Sequence, residues 1–433
     1  MNKTDGLNRA ATVALAALSL TALTSMPAHA AKKDEKPAAP AQQFSPSFLK
    51  AIGVPQKKGD PIGIEAEISG QQWDAALQRV RAAEALPGLT EGDKYQIAIL
   101  KVRIAQGKND NALLREGLES AIASPIMKPE DRAKFEKNLA VLSIQANDYQ
   151  RAADVYERVL GANPNDTAVA SDLARIYYRL KQPQKAFAVV DKAAAAYQAA
   201  GQKTPEDILA MRYQLAYDTK ANALLQPAAM ALVKEYPTAK NWEQGLLSIR
   251  GVQGNARDEQ LELDTYRLMR AAGALNGQSA YLDYANQALL RGLPGEARSV
   301  LQEGQQKGVV PPGNQMGKEL AALTATKATS DRATLATSER EARTAKTGRP
   351  ARTTADAYLG YGEYQKATEL YNLALEKGGE NADLVNTRIG IANALAGNKE
   401  AALAAFGKVQ SGPRGELARW WEVYVNTGGA KSA

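Results

Sequence analysis

Side chains able to act as a nucleophile or general base at neutral pH are almost absent from this sequence. It has no cysteine and a single histidine, His29. Cys nucleophiles, Ser-His-Asp relays, His general bases, disulfides and ordinary zinc or haem ligation are therefore excluded together, because His29 falls in a segment expected to be cut off. The nearest approach to a phosphate-binding loop is Gly313-Asn-Gln-Met-Gly317-Lys318-Glu319. It has one residue too few between its glycines, and Glu319 stands where Ser or Thr must hold magnesium. Paired carboxylates remain a possible catalytic device, but Asp and Glu are spread over polar helix faces and no pair stands out. The expectation is a protein that is not an enzyme and uses neither cofactor nor metal.

Charge offers a second kind of chemistry. Arg340, Arg343, Lys346, Arg349 and Arg352 recur at every third residue. A step of three turns a helix through about 300°, so these charges smear around the surface. Gly348 and Pro350 also interrupt the helix, and Glu339 and Glu341 offset part of the charge. A solvated inter-repeat segment is expected here, with an anionic envelope polymer or lipid headgroups as the sharper alternative. No stacking aromatics lie nearby, so nucleic acid is not an expected partner.

The N-terminus reads as an address. Lys3 and Arg9 precede an uncharged, mostly apolar stretch over 10–25, and Ala28-His29-Ala30 is a small-x-small cleavage signal. This is the pattern of a secretory signal peptide over 1–30, and the apolar stretch is too short to span a bilayer. An exported protein is expected, periplasmic in a Gram-negative source, with no membrane span. Cleavage would remove Lys3, Arg9 and Asp5 and lower the formal charge from +7 to +6, a mild preference for acidic partners. Residues 31–61 are rich in Pro and Lys and are expected to form a tether, with Phe44, Phe48, Leu49, Ile52 and Val54 available to dock on the first helices.

The rest of the chain repeats. Aromatic residues are only 6% of the sequence, so Ala and Leu dominate the apolar share and favour close helix packing. Tyr149-x-x-Ala152-x-x-x-Tyr156-x-x-Val159 and Tyr364-x-x-Ala367-x-x-x-Tyr371-x-x-Ala374 share one pattern, and Trp73, Ala76, Val80 and Ala83 follow it. Spacings of four and three put these residues on one helix face, with the small residue where two helices cross. The anchors are Ala76, Leu113, Ala152, Ala186, Leu225, Leu261, Ala297, Ala367 and Ala402. They recur at 34–39 residues, except for one gap of 70 that predicts a degenerate pair centred near Ala333. Upstream of each anchor lies a first helix, as at Leu173-Ala174 with Tyr177.

Helix pairs of this length, with Leu-Gly/Ala in the first helix, Ala-x-x-x-Tyr/Phe-x-x-Ala in the second and a closing Pro, resemble exported tetratricopeptide repeat proteins. The resemblance covers roughly residues 62–426, is best over 132–198 and 354–413, and is degenerate at 204–272 and 313–348. It implies an all-α fold: a right-handed superhelical solenoid of about ten such pairs, with the aromatic segment 415–426 as a C-terminal capping helix and 427–433 as a disordered tail. Trp420 and Trp421 are adjacent and cannot share a helix face, so both are expected to be half-buried in the cap, with exposure of at least one, or its contact with a partner, as the sharper alternative. The resemblance also implies a concave groove lined by fixed first-helix positions. Counted from Ala152 these are Lys134, Lys137, Val141, Ile144 and Gln145; counted from Ala186 they are Ala168, Ser171, Arg175, Tyr178 and Arg179. Lys134, Lys137, Arg175 and Arg179 would form a cationic wall around the Tyr178 anchor, suited to a protein partner or an extended acidic peptide. The Lys-Asn-Asn-Lys-Arg clamp of chaperone-binding members is not reproduced at matching positions. The implied function is a non-catalytic scaffold or adaptor in the cell envelope, with binding of envelope polysaccharide or peptidoglycan as the alternative.

Overall fold

A computed structural model describes residues 43–54, 63–252, 258–409 and 412–430. The expected signal peptide over 1–30, with His29, lies outside the described residues, as does most of the expected tether. Among the described residues there are 21 helices and no strand. They pack mainly as consecutive antiparallel-type pairs, the expected all-α repeat architecture. No helix among them is long and apolar enough to cross a membrane. The chain divides into two compact units, Met1–Gln202 and Lys203–Ala433.

The anchors read from the sequence are all buried. Their register is set by the backbone. Each described turn inside a pair contains one residue of positive φ: Gln71, Asn109, Asn147 and Lys181 in the first unit, Lys220, Gly292, Gly362 and Gly397 in the second. This left-handed residue ends the first helix and lets the chain reverse within about four residues. It lies five residues before Ala76, Ala152, Ala186, Leu225, Ala297, Ala367 and Ala402. By that rule the anchor of the Asn109 turn is Leu114, also buried, one place beyond the expected Leu113. Asp and Pro then start the second helices: Asp110 and Asp148 accept N–H bonds at the N-termini, and Pro183 and Pro294 sit in the first turn.

In the N-terminal unit, three regular pairs follow three shorter helices: Glu91–Lys108 with Asn111–Ala123, Pro129–Gln145 with Tyr149–Ala162, and Thr167–Arg179 with Pro183–Ala199. The described end of the expected tether is ordered. Pro46–Ala51 is a helix with Phe48 fully buried. The Ser45 N–H donates to Asp93 Oδ1 at 3.0 Å, and the Thr90 hydroxyl donates to the Gln43 carbonyl at 2.7 Å. Apolar docking of Phe48 and Ile52 outweighs the freedom expected of a Pro-rich linker.

The C-terminal unit departs from expectation in three places. First, the degenerate pair near Ala333 is a single 30-residue helix, Gln315–Thr344, and Ala333 is exposed. No Gly or Pro interrupts the sequence from Lys318 to Thr347, and Ala, Glu, Lys and Arg are strong helix formers. One face, carrying Leu320, Thr324, Ala328, Leu335 and Ala342, is buried against the helices before and after it.

Second, Trp420 and Trp421 are both fully buried. The last helix, Gly412–Thr427, packs on Ala382–Leu395 and Lys399–Phe406, as a cap should. It also packs on Asn222–Glu235 and Glu259–Ala271 from the start of the same unit. Neighbours on two sides cover two helix faces, so adjacent tryptophans can both be interior. Trp420 lies 5.6 Å from Trp242, centroid to centroid, and its Nε1–H donates to Gln226 Oε1 at 2.8 Å. Trp421 stacks on Phe406 and meets Tyr424 edge-on. The C-terminal unit is therefore closed on itself. Gly245 makes the closure possible, because a Cβ there would overlap the Trp420 ring. Gly245→Ala is expected to destabilise this unit by about 1–3 kcal/mol, seen as a lower urea midpoint followed by tryptophan fluorescence.

Third, the expected disordered tail is docked as far as it is described. The Ala430 N–H donates to the Ala272 carbonyl at 2.9 Å. Residues 431–433 lie outside the described residues.

Candidate functional site

The residues expected to line a groove belong to two helices of the N-terminal unit, Pro129–Gln145 and Thr167–Arg179. Lys134 lies 3.7 Å from Asp131, Lys137 bonds Asp166 at 2.5 Å, and Arg175 bonds Asp172 at 2.9 Å. These cations do not form an uncompensated wall. Side chains three apart on one helix pair readily, and Asp166 is the N-cap of Thr167–Arg179, the first helix of the following pair, where it meets Lys137. The pairs are solvent-exposed to about two-fifths or more on the basic partner, so each contributes on the order of 0.5 kcal/mol. Arg179 sits over the Tyr149 ring at 5.3 Å and donates to the Tyr149 hydroxyl at 3.0 Å. Tyr178 is 40% exposed, a large ring left on the surface of this unit.

A half-open cavity of about 450 Å³ lies in the same unit. The N-terminal turns of Asn111–Ala123 and the C-terminal turn of Pro129–Gln145 form it, with Leu142 as its buried apolar wall. It includes Gln145, one of the expected groove positions. Arg115 also lines it, and the sequence did not single that residue out.

The C-terminal unit holds a different constellation, missed entirely from the sequence. Asp264 is buried and accepts from Arg267 Nη1 at 2.7 Å, Arg388 Nε at 3.2 Å and Arg414 Nη1 at 2.8 Å. Arg388 donates in turn to both Asp356 oxygens at 2.7 and 2.8 Å and to Gln260. Arg267 forks onto Glu296 at 2.8 and 2.6 Å. Tyr284 donates to Glu296 and Tyr371 to Asp356, each at 2.6 Å. Burial alone would raise the Asp264 pKa; the Arg388, Arg267 and Arg414 charges overcome it and bring it down to about 2. Burial also works against the Glu296 carboxylate, and the Arg267 guanidinium overcomes it to hold that pKa below its ordinary value. Burial and the Glu296 charge push the Tyr284 hydroxyl well up.

An adjoining half-open cavity of about 430 Å³ meets Arg267, Arg270, Tyr284, Glu296 and Glu303. Its charged groups answer one another, Arg270 bonding Glu303 and Ser299. This constellation is a clasp, joining residues more than 120 positions apart. Two residues of the basic run are similarly answered: Arg343 pairs with Glu339, and Arg352 with Asp356 and Glu380. Among the described residues no group of three or more His, Cys, Asp or Glu is placed to hold a metal ion.

Paired helices joined by tight left-handed turns, with a buried Ala or Leu anchor in the second helix, define a helical-repeat protein. The tetratricopeptide repeat family matches residues 143–207, which hold the Tyr149–Ala162, Thr167–Arg179 and Pro183–Ala199 helices. Among solved structures the chain is similar to one titled "Structure of Naa15/Naa10 bound to HypK-THB", at 15% identity and a TM-score of 0.27. That likeness covers 86% of this chain and 64% of the other, so this chain spans less than two thirds of its length. No curated protein matches in sequence.

Proposed function

We propose that this protein is an exported, non-catalytic scaffold of the cell envelope that binds a protein partner on its N-terminal unit. The observation that carries the reading is the coincidence of the tetratricopeptide match at 143–207 with an exposed recognition surface on the same helices. Tetratricopeptide repeats are helical scaffolds that present extended surfaces to other proteins. Tyr178 is the anchor of that surface, Arg179 lies over the Tyr149 ring beside it in sequence, and the exposed, paired charges of Lys134, Lys137 and Arg175 on the same two helices add a salt-sensitive component. Periplasmic location rests on the basic, apolar and Ala-x-Ala segments within 1–30.

A photo-crosslinker placed at Tyr178 in living cells tests the reading, with Lys192, exposed on the Pro183–Ala199 helix, as control. One dominant protein adduct at Tyr178 and none at Lys192 is expected, in a protein whose N-terminus is Ala31. Diffuse or absent adducts at Tyr178 overturn the scaffold reading. An intact Met1 in the envelope fraction overturns the processing.

A further inference from the structure

We propose that the Arg115 cavity is the specificity pocket of the N-terminal unit and takes an acidic side chain next to an aliphatic one from an extended segment of a protein partner. This deepens the scaffold reading and rests on it. The cavity of about 450 Å³ is lined by Asn111, Ala112, Arg115, Leu142, Gln145 and Ala146. Ala112, Leu142 and Ala146 give it an apolar wall that an aliphatic side chain can cover. Arg115 is half-buried beside them and, among the described residues, has no hydrogen bond or ion pair.

That isolation is unusual, because acidic residues stand close by. Glu119, one turn further along the same helix, would ordinarily pair with Arg115. It is taken instead by Arg151 of the following pair. Glu116 is held by the buried Lys101 at 2.7 Å and approached by Arg81 at 3.8 Å. Asp110 caps the helix, accepting from the Ala112 and Leu113 N–H groups at 3.0 Å. A guanidinium left half-desolvated with no counter-charge gains most from a carboxylate supplied from outside, in the two-pronged geometry that Arg favours.

The rim fixes the form of the ligand. Asn111 Nδ2–H donates to Gln145 Oε1 at 3.5 Å, the weak limit of a hydrogen bond. Those two amides can open and bond the N–H and C=O of a backbone running across the half-open cavity. A chain passing through, with side chains dropped onto Leu142 and Arg115, fits this better than a chain end. The carboxylate is accordingly that of an internal Asp or Glu.

The test is selection of random displayed peptides on the full chain and on Arg115→Gln in parallel. Peptides enriched on the parent are expected to place Asp or Glu within two residues of Leu, Ile or Val. Arg115→Gln is expected to keep the aliphatic preference and lose the acidic one. The best peptide, synthesised with an amidated C-terminus, should bind the parent about tenfold or more tightly than the variant by fluorescence anisotropy, less so in high salt. No enriched motif, a motif without acid, equal binding to both proteins, or binding only with a free C-terminal carboxylate overturns the proposal. Because Arg115 pairs with nothing among the described residues, the variant should melt with the parent, and its loss of binding is then not unfolding. A protein adduct at Tyr178 together with a motif indifferent to Arg115 sinks the pocket and leaves the scaffold reading standing. Absence of that adduct sinks the scaffold reading itself.

Discussion

Asp264→Asn should lower the melting temperature of the C-terminal unit by about 10 °C. One carboxylate serves three guanidinium groups there, and two of them, Arg267 and Arg388, are as buried as it is. The amide keeps the shape and one acceptor oxygen but removes the charge. Breaking a buried ion pair from one side costs about 3–5 kcal/mol, mostly because the other charge stays buried without an answer. For a domain of this size each kcal/mol moves the midpoint by about 2–4 °C. Acid should act on the same carboxylate. Its pKa falls from 3.8 to about 2 on folding, so its contribution is complete above pH ~4 and fades as pH drops from there through 2. The parent in that window should therefore approach the midpoint of the variant at neutral pH. Calorimetry of both proteins across that range checks the two statements. Equal midpoints at pH 7 would show that the clasp is energetically idle.

Ending the chain before Gly412 is expected to abolish the cooperative fold of the C-terminal unit altogether. The lost helix carries Leu417, Ala418, Trp420, Trp421 and Val423, all buried. Truncating one buried tryptophan to alanine already costs about 3–5 kcal/mol. Whole domains rest on about 5–15 kcal/mol, so removal of both tryptophans and the Arg414 contact exceeds what the unit can lose. The N-terminal unit has its own core and should persist. Limited proteolysis read by mass spectrometry separates these outcomes. Rapid cleavage throughout 203–411 with survival of a fragment spanning 63–202 is expected. Protection of 203–411 would refute the closure.

Legibility followed distance along the chain. The small anchors could be read because a helix pair is a local object, and its period repeats wherever the chain does. Even the misplaced Leu113 was off by one residue, since two leucines stand together and only the backbone turn at Asn109 decides between them. The repeat period does not carry into the Gln315–Thr344 helix, because residues 318–347 lack the Gly or Pro needed to break it into a pair. The clasp was out of reach in practice. Arg388 is the only charge between Asp383 and Lys399, which is a sign of a special role. Nothing local says that its partners are Asp356 and Asp264. Arg115 was hidden by a misleading neighbour, because Glu119 offers it a helix-surface pair that the fold gives to Arg151.

The bond between Trp420 and Gln226 spans 194 positions, and it changes how this half of the molecule can come into being. A linear stack can grow one pair at a time, each step supported by its neighbour, and can fray from either end. A closed unit cannot. Its first pairs lack their final covering until residues near 427 have been synthesised, so its early helices wait with apolar surface uncovered. Long-range closure of this kind slows folding relative to a purely local array and lengthens the window for aggregation. In return it leaves no loose end: opening the unit means breaking the Asp264 cluster and withdrawing two tryptophans in one event. The half that follows residue 202 should accordingly assemble late and, once assembled, come apart very slowly.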